Sequence, residues 1–200
     1  MTATALRHPY INAWSDEHTP QSLAFTWHAS SRSLRLTYTD PVEQDWMYGA
    51  LWARHGQQMT GTPEFKRVNT ARQRRAMLRR LCQVCGRPAA DSSGRFLMLL
   101  PDEPFTGPLG ERFTHLPPVC EPCIPLTLRH CPRLRRRHLL YTASGYEPYA
   151  VQADIYEPGP GGTAAPVERE VTVELDRFRA LAYVLAKQLL VALDGLEPIP

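Results

Sequence analysis

Two hundred residues suffice for one domain or two small ones with a real core, and a 43% apolar fraction with 19 prolines points to short elements joined by rigid loops. No apolar run approaches the roughly eighteen residues of a membrane helix, which argues against a helical membrane protein. The net charge of +3 hides a skew: 21 of the 23 basic residues are arginine, a bias that a GC-rich genome produces as readily as selection for guanidinium chemistry.

Taken in chain order, residues 1–20 hold His8-Pro9 and Thr19-Pro20 without periodicity and read as a loose arm. Residues 1–18 lack the apolar core of a signal peptide, so the expected compartment is the reducing cytoplasm. LAFTWH (23–28) and SLRLTY (33–38) alternate and are rich in aromatic or β-branched residues, which predicts a β-hairpin. A third strand is expected over 50–54. Trp14, Trp27, Trp46 and Trp52 all fall in this first quarter and suggest a small aromatic core. After the loop at Gly61-Thr62-Pro63, the spacing predicts a helix over 70–81 capped by Asn69 or Thr70. Its Ala71, Met77, Leu78 and Leu81 take one side, while Arg72, Arg75 and Arg79 line another.

RFLMLLP (95–101) reads as a buried strand, and the proline-rich stretch 101–119 as a loop. Glu121 and Pro122 suit the first turn of a helix, where an acid complements the dipole and proline's missing N–H costs nothing. Pro132 should end that helix near Cys131. Residues 138–143 and 149–156 suggest a second hairpin around Gly145, followed by a Gly/Pro loop and a strand at 171–175. A helix is expected over 177–193, closed by Gly195, with Phe178, Leu181, Ala182, Leu185, Leu189 and Leu193 as its buried stripe.

Two Cys-x-x-C pairs, Cys82/Cys85 and Cys120/Cys123, stand 34 residues apart. They supply the four thiolates of a tetrahedral structural zinc, and Gly86 follows the first pair where a knuckle turn needs positive φ. A disulfide framework fits poorly, because five cysteines are odd in number and the cytosol is reducing. A thioredoxin-like redox motif would need one such pair, not two. Cys131 reads as a small buried hydrophobe. His115, five residues before Cys120, reads as a loop histidine, with an alternative role as a substitute ligand.

Knuckle, hairpin and a second Cys-x-x-C opening a helix is an order that resembles a treble-clef zinc finger. LCQVCGRPA also resembles the opening of HNH endonucleases, a family whose Asp-His pair on the hairpin provides the general base. Residues 86–119 contain no Asp-His, so the resemblance keeps the scaffold without the catalytic part over about fifty residues. The longer patterns PEFKRVNTARQRRAMLRRLCQVCG and PPVCEPCIPLTLRHCPRLRR are similar to a group of zinc-knuckle proteins of GC-rich actinobacteria that carries no assigned activity, so this likeness implies no mechanism.

The expected fold is α+β: small antiparallel hairpins around a four-cysteine, treble-clef zinc centre with an amphipathic C-terminal helix. Three parts, an aromatic β-rich 1–62, a zinc region 63–138 and a hairpin-plus-helix 139–200, are expected to join in one compact unit. Arg67, Arg72, Arg75, Arg79 and Arg80 before the first knuckle, with Arg133, Arg135, Arg136 and Arg137 after the second helix, could form one basic face for nucleic-acid phosphates. Zinc with four thiolates carries two negative charges, so Arg79, Arg80, Arg87 or Arg129 has neutralisation as a rival task. The alternative is an adaptor in which zinc and the rigid 101–119 stretch hold a platform for a protein partner. No nucleophile elbow, metalloprotease helix, phosphate loop or dinucleotide fingerprint is present, which leaves a degenerate nuclease using His115 as the enzymatic reading.

Overall fold

The computed structural model describes residues 8–29, 31–107 and 110–199, a mixed α+β structure made mostly of strands. Residues 1–7 of the expected arm lie outside the described residues. The remainder of the arm is tied down, because β1 (Asn12–Trp14) belongs to a sheet. The hairpin of β2 (Leu23–His28) and β3 (Ser33–Tyr38) forms as expected, paired from Leu23–Tyr38 to His28–Ser33. β4 (Trp46–Met47) and β5 (Ala50–Trp52) make a tight hairpin, and β6 (Pro63–Val68) returns to pair with β1. The four tryptophans do not share one core. Trp52 is buried, whereas Trp27 is 63% exposed.

Helix α1 (Thr70–Leu78) starts where the sequence places it, with the Asn69 side chain accepting from the Arg72 N–H at 3.1 Å. Beyond it come β7 (Phe96–Leu100) and, inside the expected loop, two short paired strands, β8 (Phe105–Thr106) and β9 (Arg112–Thr114). A 3₁₀ turn at Glu121–Cys123 opens α2 (Ile124–His130). Pro132 both ends α2 and begins α3 (Pro132–Arg136), since proline is as suited to a first turn as it is unsuited to an interior.

The last third departs from expectation twice. β10 (Leu139–Ala143) and β11 (Gly145–Pro158) do not pair with each other. β10 pairs with β7, while β11 pairs with β12 (Ala164–Glu174) and with β13 (Val184–Asp194), so Gly145 marks a crossing between two sheets. The expected C-terminal helix is replaced by one helical turn, α4 (Phe178–Leu181), and the long strand β13; β14 (Glu197–Ile199) then adds to β10. The physical reason lies in burial on both faces. Val184, Ala186, Leu189 and Val191 enter one apolar cluster while Leu185 enters another, so an almost continuous apolar run carries no period that separates helix from strand. Phe178, expected in the buried stripe, is 76% exposed.

β13 is the centre of a seven-stranded sheet ordered β12-β11-β13-β5-β4, with β9 and β8 added along the free length of β13. One edge of β13 meets β5 at Leu185–Ala186 and β9 at Val191–Leu193. In the gap between them the buried Gln73 side chain of α1 acts as a surrogate strand. It accepts from the Leu189 N–H at 3.0 Å and donates to the Leu189 carbonyl at 2.9 Å. That amide fixes α1 on the sheet, and α1 delivers the chain to Cys82. Pairings of β1 with β6 and of β5 with β13 cross both boundaries between the three sequence parts.

Candidate metal centre and the arginines around it

The first knuckle is built from backbone hydrogen bonds. After α1, Leu81 bridges to Pro88, the Cys82 N–H donates to the Arg87 carbonyl at 2.7 Å, and the Gly86 N–H donates to the Cys82 carbonyl at 2.8 Å. Gly86 has φ of 70°, and a Cβ there would stand 2.9 Å from a Tyr10 ring carbon. The position therefore demands glycine for both backbone and space. The Val84 N–H points at Cys82 Sγ at 3.4 Å, the kind of contact that offsets thiolate charge. Tyr10 and Ile11 donate their N–H groups to the Val84 and Gln83 carbonyls, so the N-terminal segment lies along the knuckle.

The second knuckle is brought alongside by Gln83. Its N–H donates to the Pro118 carbonyl at 2.8 Å and its side chain to the Pro117 carbonyl at 3.0 Å. Val119 bridges to Leu97 of β7, and the Cys123 N–H closes on the Cys120 carbonyl at 2.9 Å. Thr127 ties the first turn of α2 back to the Cys123 carbonyl at 2.7 Å. Val84, Leu99, Val119, Ile124, Leu128 and Leu134 form the apolar wall behind the sulfurs.

The four sulfurs of Cys82, Cys85, Cys120 and Cys123 all lie within 4.8 Å of one another, with Cys85 and Cys120 at 3.6 Å. Tetrahedral metal–sulfur bonds of about 2.3 Å imply sulfur–sulfur separations of about 3.8 Å. The donor set therefore fits a metal ion. Cys82 and Cys123 are buried, Cys85 and Cys120 half-buried. Burial pushes the Cys123 thiol upward, with its cysteine neighbours adding to the effect, and burial carries Cys120 up to about 11. Burial opposes ionisation of Cys85 too, but the Arg87 N–H and the adjoining sulfurs outweigh it and hold that thiol low. Four thiolates in this space need a cation among them. With four sulfur ligands the ion has no open position for substrate. Cys131 caps the end of α2 and is not in the group, and neither is His115. His115 is half-buried and burial pulls its imidazole below the ordinary range, with Arg133 contributing.

The nominated arginines do not make a single face. Arg72 is buried and pairs with buried Glu17: Nη1 meets Oε1, and Nη2 lies 2.7 Å from Oε2. It also donates to the Tyr10 and Asn12 carbonyls. Arg72 is thus a structural cation closed to phosphate, a correction to the surface stripe read from helical spacing. Arg67 is exposed but engaged with His18 and Glu64. Arg80 lies half-buried, 5.5 Å from the ring centroids of both Phe96 and Tyr146. Arg75 on α1 and Arg79 at its C-cap are exposed.

Following the second cysteine pair, α2 and α3 present Arg129, Arg133, Arg135, Arg136 and Arg137, all exposed. Arg133 is bound to Asp102, and among the described residues the other four are in no ion pair. Sequence reasoning missed Glu17 altogether, because an acid in a single short turn, beside Asp16, gives no periodic signal. Burial works against its ionisation, but hydrogen bonds from Arg72, Asn69 and the Trp14 N–H bring its carboxyl down to about 2. No helix of the described residues is long and apolar enough to cross a membrane. No family model matches the chain, and no curated protein or solved structure is significantly similar to it.

Proposed function

We propose that the chain is a structural-zinc protein without catalytic chemistry at the metal, and that it binds nucleic acid through the arginines of α2 and α3 in a regulatory role. The observation that carries this reading is the seating of four exposed guanidinia, Arg129, Arg135, Arg136 and Arg137, on two short helices that the second cysteine pair opens, each outside any ion pair among the described residues. Zinc is the metal best suited to four closed thiolates. The ion would fix where α2 begins, and α2 would fix the arginines. Arginine forks suit phosphate oxygens, and two of the four sulfurs, Cys82 and Cys123, are buried. A treble-clef reading is supported by the order of parts: a first knuckle, a minimal hairpin closed by the Ala90–Phe96 bridge, and a second knuckle opening α2.

The test is fluorescence anisotropy of the zinc-loaded chain with labelled duplex and single-stranded oligonucleotides across a salt series. Log affinity should fall by about 0.9 per phosphate contact on duplex, or about 0.7 on a single strand. Replacing Arg135, Arg136 and Arg137 by glutamine should weaken binding and flatten that slope by two or three contacts, with metal content unchanged. Absence of binding at low salt, or a slope the triple variant leaves intact, would remove the proposal.

A further inference from the structure

A second surface is built from chemistry opposite to that of the arginine helices. On the sheet face where β8, β9, β13 and β11 run side by side, three rings meet in a row, the first pair stacked and the second tilted. Phe105 lies on Phe113 with centroids 5.5 Å apart and planes at 23°, and Phe113 lies on Tyr149 at 5.0 Å and 31°. The last pair meets across β13 because Phe113 is in register with Ala192, whose methyl leaves room for both rings, and because β11 carries a bulge between Pro148 and Ala150. Phe105 closes the row and is 55% exposed, an aromatic ring that a buried core would have covered.

The rim of this row is acidic. Tyr149 donates its hydroxyl to Glu174 Oε1 at 3.1 Å. A Cβ on Gly107 would lie 2.5 Å from Glu111 Oε2 and 3.7 Å from the Phe113 ring, which places the Glu111 carboxylate beside that ring. Asp176 adds a third carboxylate near Tyr149, whose phenol is pushed up by burial and then by Glu174, Glu111 and Asp176 together. Arg177 is a nearby cation and is tied to Glu174 at 3.0 Å. Glu174 and Asp176 already outweigh that one guanidinium, before Glu111 is counted. Such a surface disfavours phosphate, although at its Phe105 end it meets the His115 ring at 6.2 Å and approaches the Arg133–Asp102 pair. It attracts cations to aromatic faces, where a guanidinium both stacks and pairs with carboxylate.

We propose that the Phe105–Phe113–Tyr149 row, rimmed by Glu111, Glu174 and Asp176, is a docking surface for an arginine-bearing peptide segment of a partner protein. An extended segment fits best, because the row crosses adjacent strands and offers successive rings and carboxylates to successive side chains. The surface goes beyond the nucleic-acid reading and does not depend on it.

The experiment uses the full, zinc-loaded chain and fluorescein-labelled arginine–glycine, lysine–glycine and glutamate–glycine repeat peptides, read by anisotropy. The arginine peptide should bind, the lysine peptide more weakly, and the glutamate peptide not at all. Phe105→Ala should weaken the arginine peptide about threefold to tenfold and Phe105→Tyr should retain it. Glu174→Gln should weaken it as well. Phe105 is exposed, so its variants keep the native melting temperature, and the Arg135/Arg136/Arg137 glutamine variant should bind the peptide as the native chain does. Four results would each overturn the proposal: arginine-peptide binding no tighter than the glutamate control, binding unchanged in Phe105→Ala, oligonucleotide binding that depends on Phe105, or concentration-dependent self-association abolished by Phe105→Ala, which would make a second copy the occupant.

Discussion

Glu17→Gln is the most informative single change, because one buried carboxylate organises the segment that lies on the metal knuckle. Glu17 accepts from Arg72, from the Asn69 side chain and from the Trp14 and Met59 N–H groups, while Arg72 also holds the Tyr10 and Asn12 carbonyls. Tyr10 in turn covers Gly86. A fall of the carboxyl from 4.5 to about 2 corresponds to about 3 kcal/mol of stability at neutral pH. Leaving Arg72 buried without its anion gives about 3–5 kcal/mol by a separate argument. The two figures agree, and a chain of this size should lose about 10 °C in melting temperature. The folded carboxyl is more acidic than the unfolded one, so its contribution is complete above about pH 4.5 and disappears as pH falls towards 2. The assay is urea unfolding of native and Glu17→Gln chains from pH 7 downward. Metal–sulfur bonds weaken in acid for both chains, so the difference between the two isolates Glu17. That difference should be largest at pH 7 and shrink below pH 4.5. A difference under about 1 kcal/mol at pH 7, or one that does not narrow in acid, would refute the reasoning.

Two further outcomes concern the knuckle itself. Metal analysis of purified protein should give one equivalent of zinc. Cys123→Ser should lose it and unfold the wall formed by Val84, Leu99, Val119 and Leu128, since structural zinc contributes on the order of 10–16 kcal/mol in finger peptides; retained near-native circular dichroism without metal would contradict this. Gly86→Ala should cost about 1–2 kcal/mol for the left-handed backbone plus the displacement of Tyr10, whereas Gly94→Ala, at φ of 82° in open space, should show the backbone cost alone. Equal chemical-denaturation midpoints for the two variants would show that the Tyr10 contact carries nothing.

The metal centre was legible in sequence because ligand chemistry is local. Two residues between cysteines set each knuckle, and Gly86 and Pro122 fix the turns on either side. The same holds for the first hairpin and for the start of α1, where a cap residue and a clean period coincide. The C-terminal strand was not legible, and the cause is specific. Leu181, Leu185, Leu189 and Leu193 recur every four residues, but the side chains between them are largely apolar too, and only the arrival of β11, β5 and β9 on both edges of β13 decides for a strand. Arg72 failed for a related reason. Helical spacing places it beside Arg75 and Arg79, yet its surroundings are set by Glu17, a residue 55 positions earlier.

The distribution of charge is the part of the molecule that only three dimensions reveal. Of the nine arginines nominated from sequence, Arg72 is consumed by Glu17, Arg67 and Arg133 are held by carboxylates, and Arg80 is stacked against two rings. Of those nine, the ones left outside ion pairs and ring contacts among the described residues, Arg75, Arg79, Arg135, Arg136 and Arg137, lie on or at the C-terminal ends of α1 and α3. The carboxylates Glu111, Glu174 and Asp176 gather instead around the aromatic row of the large sheet. A net charge of +3 spread evenly would steer nothing. The two proposals assign phosphate to one group of these charges and arginine to the other, so each can be tested by variants expected to leave the other's binding intact.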